Sequence, residues 1–169
     1  MSQFPGCASD AARELMPDPS SNDTYASSKL RWEERATPRH RRILQLHQDL
    51  LAIRREDPTI RAQASSGVAL EVAALTSSCG LLRYFADGSA SDSHSQDRLL
   101  IVNLGSGLDL PSPSQPLLSP PQDHSYWRIL WSSEDPRYGG YGCGEPESVD
   151  TGWHIPGFAA VLLKPMPAI

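Results

Sequence analysis

Apolar and polar residues change rhythm once along this chain. In the first half, Ile43, Leu46, Leu50 and Ile53 recur at three- and four-residue steps, and Leu44, His47 and Leu51 widen the stripe. That is the period of a helix with one buried face. Thr37 as N-cap, Pro38 at the first helical position and Asp57-Pro58 as a stop predict a helix from Pro38 to Glu56. From Val68 onward the period shortens to that of strands. Val68 to Ala74, Leu81 to Ala86, Arg98 to Leu104, Tyr126 to Trp131 and Phe158 to Leu163 are separated by Gly, Ser, Pro and Asp clusters, the pattern of an antiparallel β-sandwich. Ahead of the helix, Met1 to Ala36 is rich in Pro, Ser and Asp. Only Ala11 to Met16 reads as a short helix, and the apolar anchors Phe4, Leu15, Tyr25, Leu30 and Trp32 are spaced as in a strap laid over something else.

The densest signal is YWRILWSSEDPRYGGYGCG, from Tyr126 to Gly144. A pleat through its first six residues places Trp127, Ile129 and Trp131 on one face, expected to be buried, and Tyr126, Arg128 and Leu130 on the other. Ser132 to Pro136 is turn chemistry, and the glycines at 139, 140, 142 and 144 allow a tightly shaped loop around Tyr138 and Tyr141. Two further stretches read as irregular. Asp87 to Asp97 lacks apolar residues beyond Ala90, as in a hairpin tip, and Pro111 to Pro121 has Leu117 and Leu118 as its anchor or a short strand.

Composition narrows the class. With 169 residues, 39% hydrophobic content and a net charge of −5, the chain fits one ordinary domain plus irregular sequence. The arginines of the helix, Arg39, Arg41, Arg42, Arg54 and Arg55, read as a solvated face rather than a nucleic-acid surface. The longest apolar runs are far too short to cross a bilayer. The first ten residues lack the basic start and apolar core of a secretory signal, so a cytoplasmic protein is expected. Cys7, Cys79 and Cys143 are odd in number and lack metal-ligand spacing, which argues for reduced thiols with no zinc site and no assigned role.

Glycosidic hydrolysis needs two carboxyl groups held across a bond on a rigid frame, which the adjacent Glu134 and Asp135 do not offer. His40 and His47 are seven residues apart, whereas a helical two-histidine metal site needs four, so a packed His47 and an exposed His40 are expected. His94, His124 and His154 read as loop or strand-edge residues. No GxSxG elbow surrounds Ser132 or Ser133, and Gly139 to Gly142 lacks the ending of a phosphate loop. The remaining functional candidates are rings beside loops, Tyr138, Tyr141 and Trp153, on which a sugar could stack. Core packing is the commoner role for a tryptophan in strand-like surroundings such as Trp153.

WSSEDPRYGGYG followed by TGWHIPGFAAVLLKP resembles the C-terminal end of malto-oligosyltrehalose trehalohydrolases of the α-amylase superfamily, with a looser likeness to glycogen branching enzymes. The likeness continues in MPDPSSNDTYASSKLRW, where Arg31 replaces the family's usual acidic residue, in HRRILQLHQDLLAIRREDP and in RLLIVNLG. It implies a mainly β fold. Residues 1–36 would be an irregular strap from the end of a (β/α)8 barrel, 37–60 the last barrel helix, and 61–169 the C-terminal β-sandwich domain. It also implies a fragment of a glycoside hydrolase that acts without a cofactor in trehalose biosynthesis. The family's catalytic carboxylates lie in barrel motifs with no counterpart here, so no catalytic residue carries over to this chain and the fragment is expected to be inactive alone. The partner implied is the catalytic barrel. The alternative is a non-catalytic module that binds α-glucan or maltooligosaccharide through Tyr138, Tyr141 and Trp153.

Overall fold

The switch from helical to strand periodicity is realised in the computed structural model, which describes residues 16–62, 69–86, 96–111, 114–121, 125–148 and 151–167. The short helix expected from Ala11, the anchors Phe4 and Leu15, Cys7, His94, His124 and the loop tip at 87–95 lie outside the described residues. The chain falls into two units, Met1–Thr37 and Pro38–Ile169.

In the first unit the strap is more ordered locally than its composition suggests. Ser21 accepts a hydrogen bond from the backbone N–H of Asp23 and starts a helix α1 over Asn22–Ser27, and a 3-10 turn follows over Trp32–Ala36. The Ser-Asn-Asp start is ordinary N-cap chemistry, overlooked because the segment carries no apolar period. Neither element buries a residue, and Tyr25, Leu30 and Trp32 are exposed.

The second unit opens with the expected helix, α2, over Pro38–Glu56, continued by the short α3 over Pro58–Ala62. Asp57 joins them. Its Oδ1 accepts from the backbone N–H groups of Thr59 and Ile60, capping α3, while its Oδ2 accepts from Arg98 Nε at 2.7 Å. Asp57-Pro58 is therefore both a stop and a new start.

The β region is two antiparallel sheets. Strands β1 (Leu70–Ala74), β2 (Cys79–Tyr84), β3 (Arg98–Asn103), β5 (Ser125–Ser132) and β8 (Ala159–Pro167) form one, in the order β1-β2-β3-β8-β5. The short strands β4 (Leu108–Leu110), β6 (Glu147–Ser148) and β7 (Gly152–Ile155) form the other, in the order β4-β7-β6. These three are too short to set up an alternation and were not expected from the sequence. The result is a sandwich-like, mainly β domain. Its core gathers Leu81, Leu99, Ile101, Trp127, Val161 and Leu163 from the large sheet with Trp153 and Ile155 from the small one.

Polar groups inside the core are paired, as burial requires. Arg83 meets Asp97 at 3.0 Å and donates to the carbonyls of Leu117 and Ser119, which fixes the 114–121 connection to the sheet. Leu118 is buried there in a 3-10 turn, Pro116–Leu118, and its carbonyl accepts from Trp127 Nε1. Asn103 donates to Ser106 O and Pro156 O and accepts from Gly105 N–H, holding two turns together. Among the described residues no helix is long and apolar enough to cross a membrane.

Candidate functional site

The second face of the large sheet is where helix, sheet and glycine loop meet. Strand registers align Val72, Leu82, Leu100 and Leu162 in one row across β1, β2, β3 and β8. A bulge between Ile129 and Trp131 pairs Trp131, rather than Leu130, with Leu162. The pleat therefore does not hold through the strand. Trp127 enters the core with Ile129 packed against it, whereas Trp131 is turned to the opposite face, because the extra residue reverses the alternation. There Trp131 joins Leu50, Ile53, Arg54, Ile60, Tyr84, Leu100 and Leu162 around an apolar cleft of about 440 Å³ between the helices and the sheet.

Beyond Trp131 the chain folds back on itself. Ser132 Oγ accepts from Glu134 N–H, Asp135 caps the 3-10 turn Pro136–Tyr138, and that turn ends at Gly139 in the left-handed region, at φ 95°. Gly142 N–H then returns to Glu134 O at 2.7 Å. The close return requires glycine at 140, since a Cβ there would collide with the Glu134 backbone. Ser133 and Ala160 exchange hydrogen bonds, so the loop is fastened to β8.

The loop also holds α2. Trp131 Nε1 donates to the Tyr138 hydroxyl at 3.1 Å, and that hydroxyl donates to Asp49 Oδ2 at 2.6 Å. Arg137 donates from Nε and Nη2 to the same oxygen of Asp135, Oδ2, and lies 3.6 Å from Asp49. The Tyr138 hydrogen bond, with smaller help from Gln45 and Arg137, holds the Asp49 carboxyl below the usual aspartate range. Burial, followed by the bond to Asp49, pushes the Tyr138 phenol up. Hydrogen bonds from Arg137 lower Asp135. This is a positioning network, with its acids ionised and its phenol protonated near neutrality.

The network turns α2 relative to the predicted stripe. Arg42, Leu46, Asp49 and Ile53 share one side of a 3.6-residue repeat, facing the loop and sheet. Ile43, Leu44, His47 and Leu51 share the other, where Ile43 is 46% and Leu51 52% exposed, and Leu50 sits at the border, lining the cleft. No residue of α2 is buried, which corrects the expectation of a buried apolar face. The histidines are also reversed: His47 is exposed with Nδ1 2.8 Å from Ile43 O, and His40 is half-buried. The cause is Asp49, the one carboxylate within the helix before Glu56. A lone acid beside an apolar stripe was the available signal.

The three candidate sugar-stacking rings occupy different settings. Tyr141 stands at the loop tip, 99% exposed; Tyr138 is committed to Trp131 and Asp49; Trp153 is 4% exposed within the core. Other candidate groups are also engaged. Glu145 and Glu147 accept from Ile129 and Trp127 N–H along the free edge of β5, and burial raises the Glu147 carboxyl. Burial likewise raises the Cys143 thiol, which keeps it protonated and poorly nucleophilic. His154 and Asp109 pair at 2.6 Å on the exposed side of β7 and β4. Among the described residues no group of three or more His, Cys, Asp or Glu could hold a metal ion, and Cys79 and Cys143 are free thiols.

No family model matches the chain. Two curated proteins match part of it. The malto-oligosyltrehalose trehalohydrolase of Deinococcus radiodurans is 49% identical over 47 residues, which is 28% of this chain and 8% of that protein. The malto-oligosyltrehalose trehalohydrolase of Brevibacterium helvolum is 44% identical over 46 residues, 27% of this chain and again 8% of the relative. The chain thus aligns with a small part of each relative's length. Identity at this level marks partial homology to these trehalohydrolases and a glycoside hydrolase-related origin.

Proposed function

We propose that this chain is the C-terminal part of a malto-oligosyltrehalose trehalohydrolase-like enzyme, and that the Pro38–Ile169 unit is its accessory β domain. In this reading the outward apolar face of α2 docks on a catalytic (β/α)8 barrel of the same enzyme. The barrel supplies the paired carboxyl groups that glycosidic cleavage needs, and trehalose is released from maltooligosyltrehalose by the assembled protein.

The observation that carries the proposal is the two-faced arrangement of α2. One side is pinned to the sandwich through Asp49, Tyr138 and Arg137, which leaves Ile43, Leu44 and Leu51 directed away from it and exposed. Contiguous exposed apolar surface of this kind marks an interaction site. The partial homology to trehalohydrolases is what leads us to read that partner as a catalytic barrel. The test is reconstitution: the chain alone releases no trehalose from maltooligosyltrehalose, and release appears on mixing with a barrel from a related trehalohydrolase that lacks its own C-terminal region. Turnover by the chain alone, after removal of host amylases, would overturn the assignment.

A second reading rests on Tyr141, which is 99% exposed on a hydrogen-bonded loop. A ring so presented is available to stack on a glucosyl unit, and the unit would then bind α-glucan without a barrel. A maltoheptaose titration that depends on Tyr141 separates this reading from the first.

A further inference from the structure

We infer that the free edge of β1 is an interface for a second copy of this chain, which adds its own β1 antiparallel to the large sheet. The two edges of that sheet are finished differently. At β5 the backbone N–H groups of Trp127 and Ile129 are occupied by the Glu147 and Glu145 carboxylates. At β1, among the described residues, no side chain or strand covers the outer edge. Phe85 N–H donates to Ala69 O and Leu75 N–H to Cys79 O, so the ladder with β2 takes up the backbone groups of Ala69, Glu71, Ala73 and Leu75. Leu70, Val72 and Ala74 therefore direct their N–H and C=O groups outward. An open edge is ordinarily blunted by a lysine, a proline or a bulge, and the LEVAA strand has none of these. Its side chains are open as well, with Leu70 44% and Val72 67% exposed. The cleft beneath α2 takes residues from β2, β3, β8 and β5 but none from β1.

A second copy suits this edge because the strand is complementary to itself. With a twofold axis at Val72, Leu70 of one copy faces Ala74 of the other and Val72 faces Val72, so each outward N–H meets an outward C=O. The larger side chain then lies opposite the smaller, and two β-branched side chains meet at the axis, where cross-strand contact stabilises the pair. Glu71 faces Ala73, and the two Glu71 residues are only diagonal neighbours, about 7–8 Å apart. Moving the axis to residue 71 would set Glu71 directly against its copy, which like charge disfavours. Moving it to residue 73 would leave Leu70 without a partner inside the strand. Strands of five residues bury little area, so the dimer belongs to the weak, concentration-dependent class.

The test uses the full 169-residue chain. Sedimentation velocity follows it from about 10 µM to about 1 mM, with residue-resolved amide hydrogen exchange at both ends of the range. A dimer should grow with concentration, and the N–H groups of Leu70, Val72 and Ala74 should gain protection as it does. Val72→Lys opposes two ammonium groups at the axis and should weaken the dimer about tenfold or more. Val72→Thr keeps a β-branched residue there and should preserve it. Leu44→Glu with Leu51→Glu, on the outward face of α2, should also preserve it. A monomer throughout the range, a dimer without added protection at these three N–H groups, or a dimer indifferent to Val72→Lys would each overturn the inference. Loss of the dimer in the α2 variant would place the contact on the helix and overturn it as well. Failure of reconstitution with a barrel leaves this result untouched, because association is read on the chain itself.

Discussion

Replacing Asp57 by Ala removes one carboxylate from two structures at once. Its Oδ2 lies 2.7 Å from Arg98 Nε, with the two side chains only 9% and 11% exposed, so the change strands a nearly buried guanidinium. Breaking a buried pair from one side costs about 3–5 kcal/mol. Loss of the cap on α3, where Asp57 accepts from Thr59 and Ile60 N–H, adds about 1 kcal/mol. Arg98 keeps its bonds to the carbonyls of Gln96 and Asp97, which draws the total toward about 3–4 kcal/mol. For a chain of this size that is a fall in Tm of roughly 6–16 °C. Far-UV circular dichroism melts and calorimetry read it, and Asp57→Asn separates the parts because asparagine caps a helix but brings no charge. A Tm for Asp57→Ala within about 3 °C of wild type would refute the reasoning.

Three other outcomes follow from the same geometry. Because the folded-state pKa of Asp49 is lowered, its contribution is present above the ordinary aspartate value of 3.8 and is lost as pH falls through the lower folded value. Trp131 fluorescence, which senses Tyr138, should therefore change below about pH 3.8 in wild type and show no such step in Asp49→Asn. Glu147 has the opposite sign: its raised pKa stabilises the fold below the ordinary value of 4.5, and that contribution is lost as pH rises through the folded value. Glu147→Gln should accordingly remove a decline in stability that wild type shows above about pH 4.5, and identical pH profiles would contradict this. Trp153→Ala should destabilise the domain by about 3–5 kcal/mol, while Tyr141→Ala should leave Tm unchanged. If α-glucan binding exists, Tyr141→Ala should abolish the fluorescence response to maltoheptaose.

The elements with a sustained period were legible. The Pro38–Glu56 helix, with Thr37 ahead of it and Pro58 behind, is where periodicity and punctuation placed it, and the strands of the large sheet are shifted by only a residue or two at most ends. Strands β4, β6 and β7 have two to four residues and exist through their partners rather than through their own alternation. The rotation of α2 was hidden for a different reason. Hydrophobic spacing identifies an apolar face but not what covers it, and here one aspartate bonded to a tyrosine 89 residues away decides which side meets the sheet. The reversal of Trp131 was hidden because a bulge changes no residue type, only the register. Of the candidate rings, the sequence found the loop that displays Tyr141 and the strand-like setting of Trp153. It did not reveal that Tyr138 is a link in a chain from sheet to helix.

The most direct measurement is sedimentation of the chain with the (β/α)8 barrel of a related malto-oligosyltrehalose trehalohydrolase, compared with the same mixture carrying Leu44→Glu and Leu51→Glu. Both leucines are exposed, so the double change should leave β structure intact by circular dichroism. Docking through the outward face of α2 predicts a one-to-one complex with the wild-type chain and none with the double variant. A complex that forms equally well with both chains, or no complex with either, would contradict the account.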